Sequence, residues 1–167
     1  MKKFSLFTKE IQQAAQSIRE LTLCSIYPNE TKNPAKKKPD QLVNEILEII
    51  NLDLNKDGEL YKFYYDKKSE WGAPIGNNLL LQCIAFCSHE GSKEEATKLS
   101  REVLKDAKKK LDSKSFNEFV NFEFVQITPE DYGTKDSEYS GSVFNCENTP
   151  LTLAMKFGLM ELAYDLI

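Results

Sequence analysis

No apolar run in this chain approaches the roughly 20 residues that a membrane-crossing helix needs. The opening MKKFSLFTKEIQQ carries two lysines, but charge and Gln interrupt its apolar core before it reaches secretory-signal length. The expectation is therefore no membrane partner, no N-terminal export signal and a cytoplasmic setting. Histidine is nearly absent. His89 is the only one, so any Ser–His or Cys–His catalytic pair has to use it. The seven glycines stand isolated at elbows and turns, which excludes a Gly-rich phosphate loop. Basic charge is not in excess either, since 26 acidic against 22 basic side chains give a net charge of −4. Broad binding of a nucleic-acid backbone relies on clustered cations. The short runs Lys36–Lys38 and Lys108–Lys110 read as solvated faces, and no nucleic-acid partner is expected. Cys24, Cys83, Cys87 and Cys146 are scattered through apolar helical contexts, which fits a reducing compartment better than a disulfide framework.

What the chain does have is core material at helical spacing. Hydrophobic residues make up 41% of its 167 residues and charged residues 29%, enough for one domain with a real core. Residues 4–27 read as one helix with an apolar stripe that includes Phe4, Phe7, Ile11, Ala14, Ile18 and Leu21, and Thr8 marks an internal start. A polar, Pro-punctuated loop follows from Pro28 to Pro39. Asp40 is placed to cap the next helix, whose stripe is Leu42, Val43, Ile46, Leu47, Ile49 and Ile50. Asn77 and Asn78 are placed to cap a short third helix, LLLQCIAFCS, apolar nearly all round and so expected in the core. After Gly91, Ser92–Leu111 reads as an amphipathic helix. It turns Ala96, Leu99, Val103, Leu104, Ala107 and Leu111 inward, and Glu94, Glu95, Lys98, Arg101, Glu102 and Lys105 outward.

The last stretch, TPLTLAMKFGLMELAYDLI from Thr149 to Ile167, is the most patterned. Thr149 is a cap, Pro150 a first helical residue, Gly158 an elbow, and Leu159, Leu162, Ala163, Leu166 and Ile167 a second helical stripe. This helical hairpin resembles the helix–turn–helix half of an ankyrin repeat. Thr149, Pro150, Leu151, Leu153, Ala154, Lys156, Gly158, Glu161, Leu162 and Leu166 fall on the family pattern. Thr152 stands where the family usually has His. NNLLLQCIAF from Asn77 aligns without a gap on NTPLTLAMKF from Asn148, an offset of 148 − 77 = 71 residues. That sets Leu80 on Leu151, Cys83 on Ala154 and Phe86 on Phe157. An ankyrin unit is about 33 residues, so the excess falls in two connections, Asn51–Gly76 and Asp112–Glu147.

The resemblance implies a mainly α fold, an ankyrin-like stack of helical hairpins in a single domain over 1–167, with the connections as long, β-hairpin-like finger insertions beside a concave surface. Segments such as VNFEFVQI alternate with period two, as a half-buried strand does. It also implies a non-catalytic protein–protein interaction module without a cofactor. The connections are rich in aromatics, and Tyr61, Tyr64, Tyr65, Trp71, Tyr132 and Tyr139 are the candidate partner-binding residues. Tyr and Trp dominate interface hot spots. Two readings of them stand, contact with a partner or packing that holds each finger onto the stack. The abundance of Lys and Asn, the scarcity of Gly and the divergent repeats are similar to ankyrin-type effectors that intracellular bacteria deliver into host cells. That likeness implies a host protein as partner and the host cytosol as destination after export. With Leu166 and Ile167 apolar at the very end, the outer face of the last hairpin lacks the polar cap of a terminal repeat. The expectation is either a longer protein or a face covered by dimerisation.

Three other chemistries have partial signatures in the residues. DLNKDGEL at Asp53–Leu60 sets Asp53, Asn55 and Asp57 at the first, third and fifth positions of an EF-hand loop, with Gly58 at the sixth. Its twelfth position is Tyr64 instead of a carboxylate, so a simple turn competes with a calcium site. Cys83, Cys87, His89 and Cys146 contain the donors of a Cys₃His zinc site, but the first two lie within an apolar helix, where core packing is the plainer reading. Cys87 with His89 is the one conceivable thiol–imidazole pair. No metal and no catalytic residue is assigned.

Overall fold

The computed structural model describes residues 1–26, 36–64, 78–86, 92–123 and 149–167. Among them are seven α-helices: α1 Lys9–Ile26, α2 Pro39–Ile50, α3 Leu79–Ala85, α4 Lys93–Lys110, α5 Ser113–Val120, α6 Pro150–Lys156 and α7 Met160–Leu166. Two short strands, β1 Lys2–Lys3 and β2 Phe63–Tyr64, pair in parallel, Lys2 beside Phe63 and Lys3 beside Tyr64. The protein is mainly helical, and no helix among the described residues is long and apolar enough to cross a membrane.

The helices contact in pairs, α1 with α2, α3 with α4 and α6 with α7. The first members then form a row, α1–α3–α6, and the second members another, α2–α4–α7. All seven residues of α3 are buried, Gln82 among them, as expected of a helix apolar nearly all round and packed by α1, α4 and α6. Asn78 starts it. The Leu81 N–H donates to its Oδ1 at 3.0 Å, while its Nδ2 donates to the Phe119 carbonyl at 2.8 Å. The apolar stripe of α4 is buried at every expected position, and its ends at Ser92 and Leu111 are the expected ones. Glu95, expected outward, is half-buried, because it lies one turn before Leu99 on the flank of the core stripe.

The start of α6 matches the sequence reading. The Thr152 N–H donates to Thr149 Oγ1 at 3.3 Å and the Thr149 N–H to Thr152 Oγ1 at 2.9 Å, so Thr152 closes the cap reciprocally. The helix ends with Gly158 at φ 71°, the Leu159 N–H on the Ala154 carbonyl and the Gly158 N–H on that of Met155, a Schellman arrangement. Helix α3 is capped at Asn78 and Phe86 and α6 at Thr149 and Phe157, so both ends of the two helices obey the 71-residue offset. Cys83 and Ala154, paired by that offset, are both buried.

Four expectations are corrected. First, residues 4–27 are not one helix. Phe4–Leu6 is a 3-10 turn and α1 begins at Lys9, because Phe4 and Phe7 close over Phe63 with ring centroids 5.2 and 5.4 Å away. Second, α2 is capped by Lys38, not Asp40. Pro39, with its φ preset, takes the first helical place, and the Lys38 N–H donates to Gln41 Oε1 at 2.9 Å. Third, the described part of the first connection is no β-hairpin. It winds through 3-10 turns at Asp53–Asn55 and Glu59–Tyr61, and β2 pairs with the N-terminal β1. Fourth, the second connection opens with a helix. Asp112 accepts from the Lys114 and Ser115 N–H groups at 3.0 Å each, and Phe116, Phe119 and Val120 share a helical face. The rest of both connections, and the Gly91 elbow, lie outside the described residues.

Candidate interaction surface

Local chemistry explains where the first connection goes. Asn55 is wholly buried and spends its amide on main chain, Nδ2 donating to the Ile50 carbonyl at 2.9 Å and Oδ1 accepting from the Leu60 N–H at 3.0 Å. A side chain wholly buried and committed in this way clamps a turn and does not present its oxygen at the surface, as the third position of a calcium loop would. Gly58, at φ 69°, brings the chain so close to α4 that an added Cβ would lie 3.0 Å from Leu111 Cδ2 and 3.1 Å from Lys110 Cβ. Tyr61 then enters the core.

That last fact corrects a candidate site residue. Tyr61 is fully buried, its ring 5.4 Å from Phe119 and its hydroxyl donating to the Asp106 carboxylate, which also pairs with Lys110 at 2.7 Å. Burial, and then the bond to Asp106, push its ionisation far above the ordinary tyrosine range. Tyr61 is a fastener between the connection and α4, and a partner cannot reach it. Tyr64 is half-buried and packs beside Phe122, centroids 5.5 Å apart. Tyr65, Trp71, Tyr132 and Tyr139 lie outside the described residues, as do Cys87, His89 and Cys146. Cys83 is in the core of α3, where burial pushes its thiol well above its ordinary value and away from the reactive thiolate. No cluster of three or more His, Cys, Asp or Glu side chains among the described residues is placed to hold a metal ion.

Two outward features are new. An open groove of about 1160 Å³ runs between α4, α5 and α7. Across it Arg101 donates to Asp165 at 2.6 Å and to Glu161 at 2.7 Å, tying the second members of two helix pairs together. Lys98, Lys105 and Lys108 line the same groove and make no ion pair among the described residues, with Leu104 and Phe116 between the charged rims. The legible signal was the i, i+4 recurrence Lys93, Thr97, Arg101, Lys105 on α4 and Glu161, Asp165 on α7. The second feature is apolar. Met155 is 57% exposed, Met160 51% and Tyr164 73%, all on the last helix pair.

The described surface thus belongs to a mainly helical protein of paired helices, with a charged groove and exposed apolar side chains on its last helix pair. No family model matches this chain, no curated protein matches it, and no solved structure matches it.

Proposed function

We propose that this chain is a non-catalytic, ankyrin-type protein-binding module. The observation that carries the reading is the cap-to-cap repetition of α3 in α6 at 71 residues, with first helices on first helices and second on second. A succession of helix pairs, each contacting its neighbours, is the organisation of a helical repeat stack. The Thr-Pro start and Gly elbow of the last pair supply the ankyrin character. In this reading the partner is a protein, a host protein if the chain is an exported effector. It is held by the projecting connections and the surface of the α1–α3–α6 row. Tyr64 and, beyond the described residues, Tyr65, Trp71, Tyr132 and Tyr139 are its aromatic contacts. Tyr61 has no part in it.

The test is capture of partners from a host-cell extract by the intact chain and by a Tyr65→Ala, Trp71→Ala variant, both shown folded by thermal melting. A protein retained by the first and lost from the second supports the reading. Equal retention removes the first connection as the contact. Loss of folding in the variant assigns these aromatics, like Tyr61, to packing.

A further inference from the structure

One side of α4 lies open to the groove over most of its length. Lys98, Arg101, Lys105 and Lys108 recur there at steps of three and four, so they share a helical face. The two ends of this row differ in how their charge is answered. Toward α7, Arg101 pairs with Glu161 and Asp165. Toward α5, Lys105 and Lys108 make no ion pair among the described residues, although acids are close in the chain. From Lys105 to Glu118 the sequence has five lysines and three carboxylates. All three carboxylates are committed elsewhere: Asp106 to Tyr61 and Lys110, Asp112 to the cap of α5, and Glu118 to the Met1 ammonium. The helix dipole favours cations in the last turn of α4, but it falls off before Lys105 and Lys98. Beside these lysines lies apolar surface, the half-buried ring of Phe116 and the edge of Leu104.

We propose that this groove docks an acidic amphipathic helix of a partner protein. Its carboxylates meet Lys98, Lys105 and Lys108, and a large apolar residue between them sits on Leu104 and Phe116. Charge complementarity sets the sign of the partner, and the apolar floor sets its amphipathic character. The dimensions suit a helix. Lys98 and Lys108 are ten residues apart, about 15 Å along α4, which a docked helix covers in about three turns. At about 1160 Å³ the groove is larger than small-ligand pockets, which run roughly 300–1,000 Å³. A nucleic-acid strand fits less well, because it carries phosphates along its whole length. Glu94, Glu102, Glu161 and Asp165 line the same groove and would repel them, whereas a peptide places its carboxylates only opposite the lysines. The groove belongs to the α2–α4–α7 row, so this docking site is additional to the aromatic contacts proposed above and does not depend on them.

Fluorescence anisotropy of labelled, stapled helical peptides with the 167-residue chain tests the proposal. Each peptide has about 12 residues, enough to span the lysines, with Leu on one face and Glu, Gln or Lys flanking it. The Glu peptide should bind saturably, the Gln peptide about tenfold or more weakly, and the Lys peptide not at all. Lys105→Glu with Lys108→Glu, both at exposed positions, should leave melting unchanged and weaken the Glu peptide by about tenfold or more. Lys109→Glu, exposed but outside the groove lining, should change it by less than about threefold. The Tyr65→Ala, Trp71→Ala variant should bind the Glu peptide as the unmodified chain does, which separates this site from the contacts proposed above. Absence of saturable binding below about 1 mM overturns the proposal. So does equal binding of the Glu and Gln peptides, undiminished binding by the Lys105/Lys108 variant, or an equal loss in the Lys109 variant. Tighter binding of a single-stranded oligonucleotide, lost in the Lys105/Lys108 variant, would overturn it by assigning the groove to nucleic acid.

Discussion

Asn78 does two tasks with one amide. Its oxygen caps α3 and its nitrogen holds the end of α5 through the Phe119 carbonyl, both inside the core. The tasks are separable. Asn78→Ser keeps an N-capping oxygen but strands the buried Phe119 carbonyl, at a cost of about 1–2 kcal/mol. Asn78→Ala loses the cap as well and should cost about 2–4 kcal/mol, and urea unfolding of the two variants would rank them. The left-handed glycines make a second pair. Gly158→Ala meets nothing nearer than the flexible tip of Lys93 at 3.7 Å, so it incurs only the left-handed backbone penalty, about 1–2 kcal/mol. Gly58→Ala adds contacts of 3.0 and 3.1 Å with Leu111 and Lys110, side chains packed against the turn, and should cost about 2–4 kcal/mol. Equal losses at the two glycines would mean that the 53–61 turn does not press on α4 as described.

At the scale of elements, α5 and the N-terminus are held by carboxylates that prefer to be ionised. The N–H and hydroxyl of Ser115 hold Asp112 below the ordinary carboxylate value, and the Met1 ammonium, 2.6 Å away, does the same for Glu118. The unfolded chain takes up these protons more readily, so stability rises with pH through this range. The contribution is complete above the ordinary carboxylate pKa of about 4 and is lost as pH falls through the lower folded values. Urea midpoints at pH 7 and pH 3 should therefore differ, and Asp112→Asn, which keeps a capping side chain without the titration, should narrow the gap. An unaltered gap in that variant would remove Asp112 as a source of the acid sensitivity. The Tyr61–Asp106 bond responds to the opposite limit. Its contribution is complete below the ordinary tyrosine pKa of about 10 and fails only in strong alkali.

For the whole molecule, stacking in rows makes stability depend on position. Helix α3 is enclosed by α1, α4 and α6, whereas α7 keeps one side in solvent. Native-state hydrogen exchange should therefore be slowest in α3 and faster in α7, because a helix with fewer buried neighbours opens at lower free energy. Exchange from α7 as slow as from α3 in dilute protein would contradict this order.

The helices, their inward faces and most of their ends were legible in the residues, because helical register and capping are decided within three or four positions. The spacing of Ala96, Leu99 and Val103, the Asn78 and Thr149 caps and the Gly158 elbow all lie within that range, and the 71-residue repeat shows by aligning one such local pattern on another. The helix that opens the second connection is the exception, because period two from Val120 onward masks the helical spacing of Phe116, Phe119 and Val120. What only the tertiary structure decided are the meetings between distant parts. Tyr61 finds Asp106 45 residues away, Asn78 finds Phe119 41 residues away, and Phe63 receives Phe4 and Phe7 from the N-terminus. Nothing local distinguishes a tyrosine that binds a partner from one that fastens a loop, since each has an apolar ring and a polar tip. Which it becomes depends on whether a carboxylate on another helix stands where the hydroxyl arrives.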